Sequence, residues 1–354
     1  MPKLSLILLL TQGRNILYYH FTLVWLLIIF AGCNTKGDKI ITNHSYYYWR
    51  TVYELSDVEK EILKKGQVSQ LFVRFFDVDV DKNGKPKPIA PIIFKDTILY
   101  EIVPVVYITN RTLMHLDGKD IISLAKNMIE KVNLICETAG IKVGEIQIDC
   151  DWSQETAKPY FKLLDEIKQL LPNQILSATI RLHQIKYPEL TGVPPVDRGC
   201  LMVYNVGKLT DFKTKNSIFD DHLILKYVDN LEDYPIELDM AFPVFRQLVL
   251  FRNEKFVGVL RKENYFDIDK AATFAQLEKT NNFMCLRDTM LANFSVFKGD
   301  ILRNEDPKLE RFYTIEKKIL TVRKDQKKMT YLYFDLSSEN FNHSIHEVPS
   351  FPIY

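Results

Sequence analysis

The sequence lacks any concentration of charge. Its 354 residues include 46 Lys and Arg against 45 Asp and Glu, which gives a formal net charge of +1. Proteins that bind nucleic acid have a concentrated basic face, whereas the basic residues here are spread along the chain. We therefore expect no nucleic-acid partner. The sequence also has no internal repeat and no low-complexity tract, so one globular domain is the simplest organisation.

Closely spaced cysteines are also missing. Four of the five cysteines lie far apart, with no C-x-x-C pair and no spacing typical of metal ligands (Cys136, Cys150, Cys200 and Cys285). Isolated cysteines of this kind are typical of small buried side chains. We expect neither a metal site nor a cofactor.

Acidic residues are absent from the N-terminal segment before Asp38. Lys3 and Arg14 precede a long apolar run over residues 16–32, and two small residues come directly before Cys33. This arrangement resembles a bacterial lipoprotein signal.

The resemblance predicts a signal peptide over residues 1–32, lipid attachment at Cys33 and a polar tether over residues 33–45. An uncleaved transmembrane anchor is the alternative, because the apolar run approaches the length that spans a bilayer. In both cases the protein would be exported and tethered to a membrane of a bacterial cell envelope, either periplasmic or surface-exposed.

Residues 46–354 alternate between strand-like and helix-like patterns. We predict strands at 46–53, 70–78, 100–108, 145–151, 175–182, 200–206, 236–243 and 330–336. Strands that alternate with helices favour βαβ units and a mainly parallel sheet. Eight such units predict an α/β fold, a (β/α)8 TIM barrel. The alternation of strand-like and helix-like patterns stops at 247–300, where we predict an insertion between strands 7 and 8. We expect this insertion to contain a hairpin that turns at Asn253-Glu254 and a helical segment over 269–279.

The fourth predicted strand is the most informative part of the chain. Glu145, Gln147, Asp149 and Asp151 alternate with apolar residues, so they share one face of the strand. A barrel strand buries its apolar face under a helix, which turns the polar face into the barrel. The two aspartates at its carboxyl end would therefore lie where TIM-barrel enzymes carry out their chemistry.

Three segments on successive strands resemble motifs of the chitinase-like family 18 glycoside hydrolases. That family carries D-x-x-D-x-D-x-E at the fourth strand, and D-C-D at 149–151 aligns with its inner pair. It carries M-x-Y-D at the sixth strand, which M-V-Y-N at 202–205 matches except for the last residue. A-F-P-V-F-R at 241–246 partly matches its G-x-P-x-Y-G-R motif. Within this superfamily the likeness is closest to uncharacterised bacterial lipoproteins with glycosidase-like barrels.

The resemblance implies a mechanism in which the substrate's own N-acetyl group attacks the anomeric carbon in place of an enzyme nucleophile. Asp151 would orient and stabilise that group. Asp149 would share a proton with Asp151, since two close carboxylates do not both ionise cheaply. Tyr204 would hydrogen-bond the acetamide, with Asn205 beside it.

The family's general acid has no counterpart at its usual place. That glutamate falls two residues after the second aspartate, and the position is Ser153 here, whose hydroxyl cannot protonate a leaving oxygen near neutral pH. Glu155 is the next acid along the chain, and Asp77 on strand two is a further candidate. Either the acid has moved or the site is non-catalytic.

Aromatic and basic residues near the strand ends are further candidates for substrate binding. Trp49 and Trp152 could stack on sugar rings. Arg181 and His183 share the polar face of strand five.

Most of these candidates also have a structural explanation. The two aspartates could be a pair neutralised by Arg74 or Arg181 inside the barrel. Tyr204 and Asn205 could be a strand-end tyrosine and a turn asparagine, and a lone barrel histidine is more often structural than catalytic.

Three functions remain open at this point. The first is an exported, lipid-anchored glycoside hydrolase that acts on a polysaccharide or N-acetylated glycan. The second is a non-catalytic glycan-binding lipoprotein that lacks the general acid. The third is a structural envelope protein, which predicts no cleft at the carboxyl ends of the strands.

Overall fold

The computed structural model describes residues 40–114, 116–261, 268 and 272–341. The predicted signal peptide, Cys33 and most of the tether lie outside the described residues, so the expectations for them stay predictions. Among the residues that are described, no helix combines the length and the apolar character needed to cross a membrane.

Eight parallel strands close into a barrel. In chain order they are β1 (Ile41–Tyr48), β2 (Gln70–Val80), β3 (Glu101–Ile108), β4 (Glu145–Asp149), β5 (Ile175–Arg181), β6 (Arg198–Met202), β7 (Glu237–Pro243) and β8 (Lys328–Phe334). Each strand pairs in parallel with the next, and β1 pairs with both β2 and β8, which closes the ring. The predicted TIM barrel is confirmed.

Helices occupy most of the connections between strands. They are α1 (Asp57–Lys65), α2 (Asn110–Leu113), α3 (Gly118–Ala139), α4 (Ala157–Leu170), α5 (Leu182–Lys186), α6 (Pro188–Thr191), α7 (Asp221–Val228), α8 (Phe312–Val322) and α9 (Ser338–Phe341). α1 begins with a capping box between Ser56 and Glu59. α3 is capped by Asp117 and ends at Gly140, whose φ of 69° is left-handed and suits glycine.

The connection between β2 and β3 forms no helix, and all of its residues, 81–100, are described. The strand Pro86–Ile89 turns back and pairs antiparallel with β2. Ile93–Phe94 pairs with Val52–Tyr53. Proline lacks the N–H that a ladder needs, so two prolines in one short strand suit this edge position.

The chain between β7 and β8 builds a second, five-stranded antiparallel sheet. Its strands, in spatial order, are Lys255–Leu260, Gln247–Arg252, Ile301–Glu305, Asn282–Cys285 and Phe274–Gln276. The hairpin turns at Asn253 and Glu254, which have φ of 50° and 61°. The helix expected over 269–279 is wrong where residues are described, because Phe274 pairs across the sheet with Cys285 and both pack into the apolar core of this sheet.

Aromatic residues of β1 fill the barrel wall. Tyr46, Tyr47 and Tyr48 are each at most 1% exposed. Tyr47 points inward, and its hydroxyl donates a hydrogen bond of 2.6 Å to Gln147 Oε1. The four described cysteines are buried, as their isolated spacing predicted, and they form no disulfide with one another.

Candidate functional site

The carboxyl ends of the barrel strands open into a cleft of about 870 Å³. Every barrel strand, or the first residues after it, contributes a lining side chain: Trp49, Asp77, Tyr107, Asp149, Arg181, Met202, Phe245 and Phe334. This is the end of the barrel at which chemistry is expected.

Asp149 lies at the bottom of the cleft and is only 6% exposed. The Thr179 hydroxyl donates a hydrogen bond of 2.6 Å to its Oδ1. Burial raises the pKa of Asp149 to about 6, the Thr179 hydrogen bond opposes this rise, and the nearby charge of Asp151 adds to it. Asp149 is therefore a carboxyl that can hold or release a proton near neutral pH.

Asp151 lies at the mouth of the cleft, with a side chain that is 49% exposed. Arg181 Nη2 donates a hydrogen bond of 2.9 Å to its Oδ2. Arg181 Nε donates to its Oδ1, so both carboxylate oxygens are engaged by one guanidinium. The Arg181 guanidinium also lies 5.9 Å from the centre of the Tyr204 ring.

Aromatic rings form one wall of the cleft. The rings of Tyr204 and Phe334 are stacked with centroids 5.8 Å apart, and Trp49 meets Phe334 at 5.4 Å. Phe245 packs edge-on against both Tyr204 and Phe334. No described residue hydrogen-bonds the Tyr204 hydroxyl, which is not fully enclosed and can reach the cleft.

Solved structures with this arrangement of strands provide a comparison. A mutant GH18 chitinase from Cycas revoluta, in complex with (GlcNAc)4, matches with a TM-score of 0.51 at 11% identity, over 84% of this chain and 96% of that chain. The spore cortex-lytic enzyme SleL of Bacillus cereus matches with a TM-score of 0.47 at 12% identity, over 85% and 73%. The fold is a chitinase-like TIM barrel. No family model and no curated protein matches the sequence.

In this chitinase-like barrel the position at which the sequence motif would put its general acid lies outside the cleft. Ser153 and Glu155 do not line the cleft. The Ser153 N–H donates a 2.9 Å hydrogen bond to Thr156 Oγ1 at the start of α4, and Glu155 is exposed. The expected role of Glu155 as the acid is therefore not supported.

Glu145, Gln147, Asp149 and Asp151 share one side of the chain, and Asp149 and Asp151 are the two of them that line the cleft of this chitinase-like barrel. β4 ends at Asp149 and the chain then turns towards α4, so Asp151 is the last of these side chains to face the cleft.

Two other expected ligand contacts lie away from the cleft. Trp152 is 1% exposed, its Nε1–H donates to Thr191 O at 2.9 Å, and its ring stacks on Tyr160 at 5.1 Å. The expected sugar platform at Trp152 is wrong, because this side chain lies in the core under α4. His183 is exposed and lies outside the cleft.

The remaining expected contacts do line the cleft. Asn205 is exposed there with a left-handed φ of 57°. Asp77 is held by Arg74, with Nε 2.7 Å from Oδ1 and Nη2 2.7 Å from Oδ2. Trp49 and Arg181 line the cleft as expected. Asp77 also lines it, but its carboxylate is already paired with Arg74.

Several further lining residues are not among the expected site residues, although Phe245 belongs to the 241–246 segment that partly matches the family motif. They are Tyr107, Ser217, Phe245, Gln247, Arg261, Phe334, Asp335 and Glu339. Burial and the charges of Asp149 and Asp151 raise the pKa of Tyr107 to about 12. Among the described residues, no group of three His, Cys, Asp or Glu side chains could hold a metal ion.

Proposed function

We propose that the protein is a glycoside hydrolase that acts on a glycan carrying N-acetyl groups. The observation that carries the proposal is the pair of carboxylates at the end of β4, with the buried Asp149 behind the more exposed Asp151 in a cleft that also has an aromatic wall. The Cycas revoluta chitinase of the same fold was crystallised with (GlcNAc)4, which makes this tetrasaccharide the first ligand to test. The presence of the cleft argues against a purely structural protein.

Asp151 is the proposed proton donor to the leaving glycosidic oxygen, because it faces the open cleft. Asp149 is the proposed partner that orients the substrate's acetamido group, since its pKa of about 6 lets it share a proton with a neighbouring group. The Tyr204 hydroxyl would donate a hydrogen bond to the acetamide carbonyl. The carbonyl oxygen then attacks the anomeric carbon as the glycosidic bond breaks and the leaving oxygen takes the proton.

A non-catalytic glycan-binding protein is the second candidate. The observation in its favour is the ion pair between Asp151 and Arg181. A carboxylate whose two oxygens both accept hydrogen bonds from a guanidinium has no proton to give. Catalysis requires that a bound substrate release Asp151 from Arg181.

The test measures binding of (GlcNAc)4 and hydrolysis of it and of aryl N-acetylglucosaminides by the full-length protein. Hydrolysis that Asp151→Asn abolishes, with binding retained, supports the hydrolase. Asp165→Asn, an exposed residue on α4, is the matched control and should keep full activity. Binding without hydrolysis favours the second candidate. Neither binding nor hydrolysis across a broad glycan panel refutes both.

We also propose that the protein is exported and anchored to a bacterial membrane by a lipid on Cys33. The support is the N-terminal sequence, with its basic residues, apolar run and small residues before the cysteine. Labelling with a radioactive or clickable fatty acid would detect the lipid.

A further inference from the structure

A buried carboxylate connects the second sheet to the cleft. Glu305 is 0% exposed. Its two oxygens accept hydrogen bonds from the Ser217 N–H at 2.9 Å, the Ser217 hydroxyl at 2.6 Å, Gln247 Nε2 at 2.6 Å and Arg303 Nε at 2.7 Å. Arg303 is itself 1% exposed and also donates to Leu209 O and Asp211 O. The ion pair between Glu305 and Arg303 is therefore fixed in position by these surrounding hydrogen bonds.

This network sets the orientation of the Gln247 side chain. A carboxylate only accepts hydrogen bonds, so the amide face turned towards Glu305 must be the NH2 group. Nε2 also lies 3.3 Å from the Ser217 hydroxyl oxygen. The amide oxygen, Oε1, must then point the opposite way.

The Gln247 oxygen is available to a ligand. Gln247 lines the cleft together with Asp149, Asp151 and Tyr204. Within the part of the chain that the structure describes, no donor reaches Oε1 and protein atoms do not fully enclose it. The cleft therefore presents a hydrogen-bond acceptor that no described residue uses.

We propose that Gln247 determines ligand specificity, with its Oε1 accepting a hydrogen bond from an acetamide N–H or a hydroxyl of the glycan. Glu305 and Arg303 are positioning residues that act through Gln247. The proposal rests on the proposed function, in that the cleft must bind a glycan. A fixed acceptor selects for ligands that present a donor, because a ligand without one leaves the amide oxygen desolvated and unpaired.

The first test is calorimetric binding of (GlcNAc)4 to the full-length protein and to Gln247→Met, which keeps the side-chain length but removes the amide. We expect the Kd to rise about tenfold, the size of one hydrogen bond. Gln276→Met, at an exposed position of the same sheet, is the control and should leave the Kd unchanged. If the wild type binds and Gln247→Met binds equally well, the proposal is overturned. If the wild type does not bind any glycan, the proposed function fails instead.

The (GlcNAc)4 analogue in which each acetamide is replaced by an O-acetyl ester separates the two possible donors. It keeps the free hydroxyl groups and the acetyl carbonyl, and its ester oxygen carries no hydrogen to donate. If Gln247→Met loses affinity for (GlcNAc)4 but not for the analogue, the donor is the acetamide. If the variant loses affinity equally for both ligands, the donor is a hydroxyl.

The second test asks whether Glu305 acts through Gln247. Glu305→Gln removes the charge that holds the amide, and we expect a weaker Kd for (GlcNAc)4. In the double variant, adding Glu305→Gln to Gln247→Met should cause no further loss of affinity for (GlcNAc)4, because the amide oxygen that Glu305 positions is already gone. Independent losses that simply add would contradict a positioning role.

Discussion

Replacing Asp149 with asparagine should stabilise the protein at neutral and alkaline pH. The carboxyl is 6% exposed and must ionise at the bottom of the barrel, where it lacks a direct cationic partner among the described residues. Asparagine is of the same size and does not ionise. Its Oδ1 can still accept the hydrogen bond that the Thr179 hydroxyl donates to Asp149.

The magnitude follows from the pKa. Burial, followed by the charges of Asp151 and Asp77, raises the pKa of Asp149 from its ordinary 3.8 to about 6, against the opposing effects of Thr179 and Arg181. A difference of about two pH units corresponds to about 3 kcal/mol. The folded state binds this proton more tightly than the unfolded state does. The contribution of this proton binding to the free energy of unfolding is therefore fully present below about pH 4, and it is lost as the pH rises through about 6.

The assay is denaturant unfolding of the wild type and Asp149→Asn at about pH 4 and about pH 8. We expect similar unfolding free energies at the lower pH and an advantage for the variant approaching 3 kcal/mol at the higher pH. Asp165→Asn, on the exposed side of α4, controls for the general effect of losing a negative charge. The reasoning is refuted if the advantage of Asp149→Asn does not grow with pH.

Three further substitutions test other parts of the structure. Trp152→Ala should lower the unfolding free energy by about 3–5 kcal/mol, because a large core side chain is removed, and a small change in Tm would contradict its buried placement. Tyr204→Phe should weaken (GlcNAc)4 binding about tenfold at unchanged Tm, and equal affinity would exclude the hydroxyl as a contact. Cys33→Ala should move the protein from the membrane fraction to the soluble fraction, and continued membrane retention would favour an uncleaved anchor.

The fold could be predicted because its signals are local. The alternation along β4 and the capped helix α3 each report one element, and their order limits the topology to a parallel barrel. Strand ends were less certain. The aromatic run predicted β1 over 46–53, whereas the strand spans Ile41–Tyr48 and the chain leaves the barrel at Trp49. Residue propensity identifies a strand, but it does not show at which residue the pairing with the neighbouring strand begins or ends.

The candidate site could be predicted only where it follows a strand directly. Asp149 faces the cleft because the alternation of β4 continues to the end of the strand, and Asp151, two residues beyond that end, keeps to the same side. The same alternation puts Trp152 on the apolar side with Cys150, so its burial was already encoded in the pattern. Gln247 could not have been found in this way. Its orientation depends on Glu305, which lies 58 residues away along the chain, and no local pattern reports such a contact.

The closure of the barrel determines when the cleft can exist during synthesis. β1 forms parallel pairs with β8, which places Ile41 beside Lys328. Until β8 has emerged, β1 and β7 each present an unpaired edge, and such edges are prone to pair with other chains. Contacts this distant along the chain also form late, because the long loop must close first. A nascent chain must therefore be protected until β8 has been synthesised, and a truncation before β8 would yield an aggregation-prone open sheet rather than a smaller closed barrel.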